Sequence, residues 1–301
     1  MPVVLTILQA LLLALLAPLV AGVIKNTKGK LQSRRGPGYF QVYYDLAKFF
    51  KKDSVVSPTV SWIFHVAPFI YFATALGAAS LVPTVLFSRG LNYDNIFILV
   101  YLLALGRFFL ALASLDAGSS FGGMGGSREM FISVLVEPAL MITLFTVAIR
   151  ANSTGLSQMA DAAASSGVSL SAILAAIAFL ILTVAETGRI PVDNPDTHLE
   201  LTMVHEGMVL EYSGRSVGLI FWGSAIKQLV TILMMVNLFI PWNLPGLVAT
   251  PMSVLWMLVK VLLVAAALAC IETSTNKIRL FRVPGLMIAT GCLSLLAIVA
   301  M

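Results

Sequence analysis

The 301-residue chain is 59% hydrophobic and only 11% charged, with a mean hydropathy of +0.95. Soluble domains carry roughly 45–50% apolar and about 25% charged residues, so this composition excludes a water-soluble globular protein. The formal net charge of +5 would suit a nucleic-acid partner. In a membrane chain, basic loops that fix orientation are the more common cause of such a charge, and no nucleic-acid binding is predicted.

Apolar segments of about 20 residues recur along the whole chain, which is the length needed to cross a bilayer. They cover residues 2–24, 62–87, 95–115, 129–150, 168–187, 217–240, 252–270 and 283–301. In hydrocarbon the backbone must form its own hydrogen bonds, so each segment is predicted to be a helix. Without repeats or flexible linkers, the sequence predicts one all-α integral membrane domain over residues 1–301, a polytopic bundle of about eight transmembrane helices. Residues 153–167 are predicted to be a short surface helix or loop.

The basic residues predict the orientation of the chain. No Lys or Arg precedes the first apolar segment, and Lys25, Lys28 and Lys30 follow it. This order is opposite to that of a cleaved signal peptide and indicates a retained first helix. Fourteen of the nineteen Lys and Arg residues fall in alternate loops on one side, and only Arg89 and Arg150 fall on the other. The positive-inside rule therefore places both termini on the extracytoplasmic side.

Ionisable residues interrupt several of the apolar segments. Arg107, Glu137, Lys227 and Lys260 lie near the middle of theirs, and Glu186 lies near the end of its own. Each central charge facing lipid would cost about 2.5–3.5 kcal/mol. These side chains must therefore face the bundle interior, pair with one another or line a hydrated cavity.

Two interpretations of these charges remain open. Glu129, Ser133 and Glu137 lie at i, i+4 spacing, and Lys227 shares a helix face with Thr231, so polar side chains form stripes. Such stripes are typical of a protonatable, hydrated axis for protons or ions. The alternative is a set of structural ion pairs that hold helices together.

Acidic residues are frequent in and near the loop that follows the fifth predicted helix. The acids are Glu186, Asp193, Asp196, Glu200, Glu206, Glu211 and, beyond the seventh helix, Glu272. If they gather, their mutual repulsion favours proton uptake. A solvated acidic loop is the alternative.

No metal site is predicted on this chain. His205-Glu206 resembles the start of a zinc-peptidase helix, but Val209 stands where the second His would be required. His205 is therefore predicted to be a polar contact. Cys270 and Cys292 lack a CxxC spacing and are interpreted as small buried apolar residues.

Two loops are predicted to dock a cytoplasmic partner. In the first, Arg34 and Arg35 precede a Gly-Pro-Gly turn, and Asp45 and Lys48 lie in the Tyr-rich stretch that follows. Lipid headgroups are the alternative ligand of this loop. In the second, five glycines before Arg128 and Glu129 predict another tight, close-packed loop; they are Gly118, Gly122, Gly123, Gly125 and Gly126.

Together these motifs resemble the membrane-subunit family shared by respiratory complex I (its subunit 1) and the membrane-bound group 4 nickel–iron hydrogenases, including formate hydrogenlyase. The matching stretches run over nearly the full length and keep one order. They are Arg34 to Gly38 with Asp45 and Lys48, Gly126 to Glu129 with Glu137-Pro138, Glu186 to Asp193, Glu211 to Gly214, Lys227-Gln228, Lys260 and Glu272. Gly38 and Lys227-Gln228 favour the hydrogenase branch. His198 stands where the family normally carries an acid, and residues 201–210 are a few positions longer.

The resemblance implies a prokaryotic inner-membrane subunit of a multisubunit oxidoreductase, with no redox centre of its own. Iron–sulfur clusters and the nickel–iron centre would lie in partner subunits. Those partners would be the hydrogenase-like large and small subunits, an iron–sulfur protein and antiporter-like membrane subunits. It also implies that a proton or sodium-ion pathway uses Glu137, Glu186, Asp193, Glu200 and Glu211, to which the buried charges add Arg107, Lys227 and Lys260.

Two other functions remain open at this point. One is the quinone-site subunit of a complex I-like NADH or ferredoxin dehydrogenase. The other is a stand-alone secondary transporter, although such proteins usually contain internal repeats and broken helices.

Overall fold

The computed structural model describes residues 2–84, 94–165, 167, 169–194, 203–240 and 251–301. Each predicted apolar segment forms a helix where it is described, and seven of these helices are long and apolar enough to cross a membrane. The eighth, Leu170–Glu186, has 17 residues and is therefore about 25 Å long, somewhat less than a typical hydrocarbon core. The prediction of a polytopic all-α membrane bundle is confirmed.

The described helices are numbered in chain order, and a 3₁₀ turn at Leu280–Arg282 precedes the last of them. They are α1 (Pro2–Leu31), α2 (Gln41–Lys51), α3 (Trp62–Leu81), α4 (Ile96–Asp116), α5 (Ser120–Ala151), α6 (Leu156–Ser165), α7 (Leu170–Glu186), α8 (His205–Val209), α9 (Gly214–Phe239), α10 (Pro251–Ser274) and α11 (Val283–Val299).

Helix α9 lies at the centre of the bundle, where it contacts α1, α3, α7 and α10. Helix α5 packs against α4, α7 and α11. Polar side chains bind backbone carbonyls across these contacts: Trp222 Nε1 donates to Ala14 O over 2.8 Å, and Gln9 Nε2 donates to Val82 O over 2.6 Å. Such bonds help to hold transmembrane helices together, because lipid supplies no hydrophobic force between them.

The outside of the bundle is as apolar as its core. Leu15, Phe69 and Leu263 are each more than 60% exposed. Cys270 and Cys292 are also exposed, so the prediction that they are buried is wrong. The reason is physical: in lipid, an apolar side chain gains nothing by facing inward, so its chemistry does not predict which way it faces.

Helix α2 occupies part of the region predicted as a loop. Its apolar face packs on α9, with the ring centroids of Phe49 and Phe221 5.6 Å apart. Leu46, on this apolar face of α2, is buried, whereas Tyr44 and Lys51 are exposed. Helix α2 is therefore amphipathic and covers one end of the bundle.

Helix α6 confirms the short helix predicted within residues 153–167. Its Leu156 and Met159 are fully buried, so the helix closes one end of the bundle rather than lying loosely on it.

The segment 203–213 is fixed against α3. The ring of Tyr212 stacks on that of Phe64, with the centroids 3.9 Å apart, and its hydroxyl donates to Phe64 O over 2.9 Å. Burial raises the pKa of Tyr212 above its usual value, which keeps this donor protonated. The segment is thereby held at the end of the bundle that also carries α2.

The prediction of a loop around the five glycines before Arg128 is wrong. Helix α5 begins at Ser120, with the Ser119 hydroxyl accepting from the Gly122 amide over 3.1 Å, so only residues 117–119 separate it from α4. Gly125, inside α5, is needed for close packing and not for a turn. A Cβ on Gly125 would lie 3.0 Å from backbone atoms of Val204, Gly207 and Met208.

We expect Gly125→Ala to lower the free energy of unfolding by about 1–3 kcal/mol, because three backbone atoms of the facing segment must move. Gly123→Ala is the matched control on the same helix, since its Cβ would meet only Leu115 Cδ2 at 3.8 Å. The control should be neutral or stabilising by up to about 1 kcal/mol, because Ala favours the helix. Thermal unfolding of both variants in mild detergent measures the difference. Equal melting temperatures would contradict the close packing of α5 on residues 204–208.

Candidate functional site: a buried ion cluster beneath a cavity

Arg107 of α4 lies inside the bundle, 5% exposed, and contacts three carboxylates. Its Nη2 binds Glu186 Oε1, its Nε lies 3.6 Å from Glu129 Oε1, and its Nη1 lies 3.5 Å from Glu137 Oε1. Nη1 also donates to the Ser133 hydroxyl over 2.7 Å. The stripe of Glu129, Ser133 and Glu137 predicted on one helix face therefore faces Arg107.

Lys227 of α9 completes the cluster. Its Nζ lies 3.0 Å from Glu186 Oε1, the same oxygen that Arg107 contacts. We call Arg107, Glu129, Glu137, Glu186 and Lys227 the ion cluster. Four helices contribute to it, and each charge has an opposite charge nearby. This pairing offsets the cost of removing these groups from water.

The members of the cluster differ in exposure. The Glu186 side chain is 2% exposed, whereas that of Glu137 is 35% exposed. The cluster therefore extends from the centre of the bundle towards the outer surface of α5.

A cavity of about 590 Å³ lies against the other side of the cluster. Glu129, Glu186 and Lys227 form part of its lining. Its remaining walls come from the ends of α1, α7 and α10, from α2, and from the middle of α3 and α9. Its volume falls within the range of about 300–1,000 Å³ that is usual for ligand sites.

A chain of hydrogen bonds lines one wall of this cavity. The Tyr71 hydroxyl lies 3.0 Å from the Ser224 hydroxyl, which lies 3.3 Å from His205 Nε2. The predicted role of His205 as a polar contact agrees with this geometry. Tyr71 was missed in the sequence, because a tyrosine within an apolar segment gives no signal of what it will contact.

Two further groups of charges fix the loops around the cavity. Glu272 of α10 accepts from Lys28 Nζ over 2.7 Å and from Arg189 Nη1 over 2.8 Å. Asp193 is 2% exposed and accepts from Lys277 Nζ over 2.7 Å and from the His205 amide over 3.2 Å. Three of the described acids, Glu186, Glu206 and Glu272, line the same cavity, so part of the predicted gathering is present. Glu272 and Asp193 are paired with cations, and these pairs hold residues 187–194 and 205 in place.

The remaining predicted pathway residues lie apart from these contacts or outside the described residues. Lys260 is buried and donates to Ile240 O over 3.1 Å. Glu211 is exposed. Glu200 and Asp196 lie outside the described residues.

The predicted docking residues divide into four groups. Arg34 and Arg35 are exposed, as docking requires, and Arg128 Nη1 donates to Met203 O over 3.1 Å. Asp45 and Lys48 line the cavity. Glu129 belongs to the ion cluster, because α5 already begins at Ser120 and turns it inward.

Comparison with known proteins gives the family. The sequence profile of the NADH dehydrogenase family matches residues 3–301. The chain belongs to this family. It is 37% identical to formate hydrogenlyase subunit 4 of Escherichia coli, over 81% of this chain and 79% of the relative. It is 36% identical to hydrogenase-4 component C of the same organism, over 80% and 76% of the two chains.

Two further comparisons give lower identities. An NADH-quinone oxidoreductase subunit of Rhodospirillum centenum is 28% identical over 85% of this chain and 80% of its own. A chain in the structure of the membrane-bound sulfane sulfur reductase, an archaeal respiratory membrane complex, superposes with a TM-score of 0.85. The superposition covers 98% of both chains at 20% sequence identity, and this likeness shows a shared fold. The resemblance drawn from the motifs is confirmed.

We expect Arg107→Met to lower the free energy of unfolding by about 3–5 kcal/mol, because it leaves buried carboxylates without their main partner. Arg34→Met, which removes the same charge from an exposed site, should change it by less than about 0.5 kcal/mol. Unfolding in detergent, followed by intrinsic fluorescence, measures both. A small effect of Arg107→Met would mean that Arg107 does not bind the three carboxylates.

Proposed function

We propose that this chain is the membrane-anchoring and ion-coupling subunit of a membrane-bound nickel–iron hydrogenase of the formate hydrogenlyase type. It docks a cytoplasmic electron-transfer arm at the end of the bundle that carries α2. The coupled ion is a proton or Na⁺. In this proposal the iron–sulfur clusters and the nickel–iron centre belong to partner subunits, and antiporter-like membrane subunits continue the ion path.

The observation that carries this proposal is the ion cluster at the inner wall of the cavity. Glu186 and Lys227 line the cavity, and Glu137 is the most exposed member of the cluster on α5. A change of charge in the cavity therefore acts directly on Glu186, and through Arg107 on Glu137, without crossing lipid. Salt bridges with a purely structural role would stabilise the bundle, but they would not need to connect the cavity with the more exposed Glu137.

The relatives support the choice of complex. Two relatives, 37% and 36% identical to this chain over the aligned residues, are named as a subunit of formate hydrogenlyase and a component of a hydrogenase. The NADH-quinone oxidoreductase relative from Rhodospirillum centenum shares 28%. The quinone-site subunit of a complex I-like dehydrogenase is the second candidate, and the cavity is the observation that favours it.

We expect Glu186→Gln to reduce ion translocation at least tenfold in vesicles containing the purified complex. The reason is that the variant removes a charge shared by Arg107 and Lys227. Glu211→Gln is the matched control, because Glu211 is an exposed acid outside the ion cluster. Its ion translocation should be unchanged. Hydrogen evolution with an artificial electron donor should persist in both variants.

A protonophore and a sodium ionophore, added separately, identify the ion that moves. Unchanged translocation in an assembled Glu186→Gln complex would contradict the coupling role. Turnover that requires quinone, with no nickel–iron protein in the purified complex, would replace the hydrogenase proposal with the dehydrogenase one.

A further inference from the structure

Charges of both signs line the cavity. The α1 and α2 segments contribute four lysines and one acid, Asp45. The lysines are Lys25, Lys28, Lys48 and Lys52. Other elements contribute further acids; they are Glu129, Glu186, Glu206 and Glu272.

Most of these acids already have partners, but three of the lysines do not. Glu272 binds Lys28 and Arg189, and Glu186 binds Arg107 and Lys227. The ammonium groups of Lys25, Lys48 and Lys52 have no carboxylate within 4.0 Å in the described part of the chain. All three are exposed. They therefore present uncompensated positive charge at the edge of the cavity.

These lysines lie at the level expected for lipid headgroups. Lys25 follows directly after the apolar segment of α1, where a transmembrane helix leaves the hydrocarbon core. Helix α2 is amphipathic, with basic residues on its exposed face and Leu46 buried, as in helices that lie in the membrane interface. Lysine near the surface of an anionic membrane gains about 1 kcal/mol by attraction to it.

The cavity also offers an apolar surface next to the lysines. Val42, Leu46 and Phe49 of α2 and Phe221 and Ala225 of α9 form an apolar part of its lining. A small inorganic anion would leave this surface unused. An acidic protein segment would have to place polar backbone against it without hydrogen bonds, which is costly. A ligand with an anionic head and an apolar chain fits both parts.

We propose that the cavity binds one anionic phospholipid. Its phosphate lies against Lys25, Lys48 and Lys52, and one acyl chain lies in the cavity against the apolar lining from α2 and α9. The described partners of Glu186 are Arg107 and Lys227 and not these lysines, so the lipid does not replace them. It assigns to Lys48 a role in lipid binding in place of the predicted docking of a protein partner.

The test counts phospholipids that stay with the purified complex. The wild-type complex and its variants are stripped in mild detergent and exposed to mixed micelles of phosphatidylglycerol or phosphatidylcholine. Native mass spectrometry then counts the lipids bound. Lys48→Gln is compared with Lys51→Gln, which removes the same charge from the exposed face of the same helix but does not line the cavity.

We expect wild type and Lys51→Gln to retain one phosphatidylglycerol. Lys48→Gln should bind it about fivefold more weakly, the factor that corresponds to about 1 kcal/mol. The triple variant Lys25→Gln/Lys48→Gln/Lys52→Gln should lose it. Melting temperatures close to that of wild type confirm that the variants are folded.

Four results would overturn the proposal. Equal retention in Lys48→Gln and Lys51→Gln would mean that the cavity lysines are not the site. Equal binding of phosphatidylcholine would remove the role of anionic charge. Displacement by inorganic phosphate alone, or a partner subunit cross-linked to Lys48 in the lipid-free complex, would show a phosphate site or a protein contact instead.

Discussion

A guanidinium among apolar helices is tolerable only if anions surround it, and the arrangement of this bundle depends on that constraint. Arg107 on α4 collects carboxylates from α5 and from the end of α7, and Lys227 on α9 shares one of them. None of these helices can rotate or slide without separating a buried charge from its partner. Breaking one such pair costs about 3–5 kcal/mol, comparable with the lower range of total stability for a folded domain.

The charged residues around the cavity have two structural roles. Glu272 and Asp193 each bind basic residues from distant parts of the chain, which fixes the loop after α7 next to α1 and the segment before α11. The ion cluster lies deeper and joins the membrane helices. Because Glu186 is the last residue of α7, it lies next to the loop that these outer pairs hold. A displacement of the loop would therefore move the residue at which the cluster meets the cavity.

Much of the fold could be predicted from hydropathy, because bilayer thickness fixes segment length and lipid forces the backbone into helices. The stripe of Glu129 and Glu137 followed from spacing on one helix. Spacing within one helix does not show which other helix will pack against a given face. The pairing of Arg107 with Glu186 and the contacts of Tyr71 could therefore not be predicted from the sequence. The glycines near Gly125 were interpreted as a turn, since close helix packing and a turn both select residues without a Cβ. Lys48 illustrates the same limit: its charge is visible in the sequence, but the cavity beside it is not.

The ion cluster contains three carboxylates and two basic groups. With every group ionised it carries one surplus negative charge, in a region where an uncompensated charge is expensive. One more cation, either a proton on one of the three acids or a metal ion such as Na⁺ beside them, would neutralise that surplus. Glu137 is the most exposed of the three acids. In the proposed ion-coupling function, the surplus negative charge is where a single cation would bind.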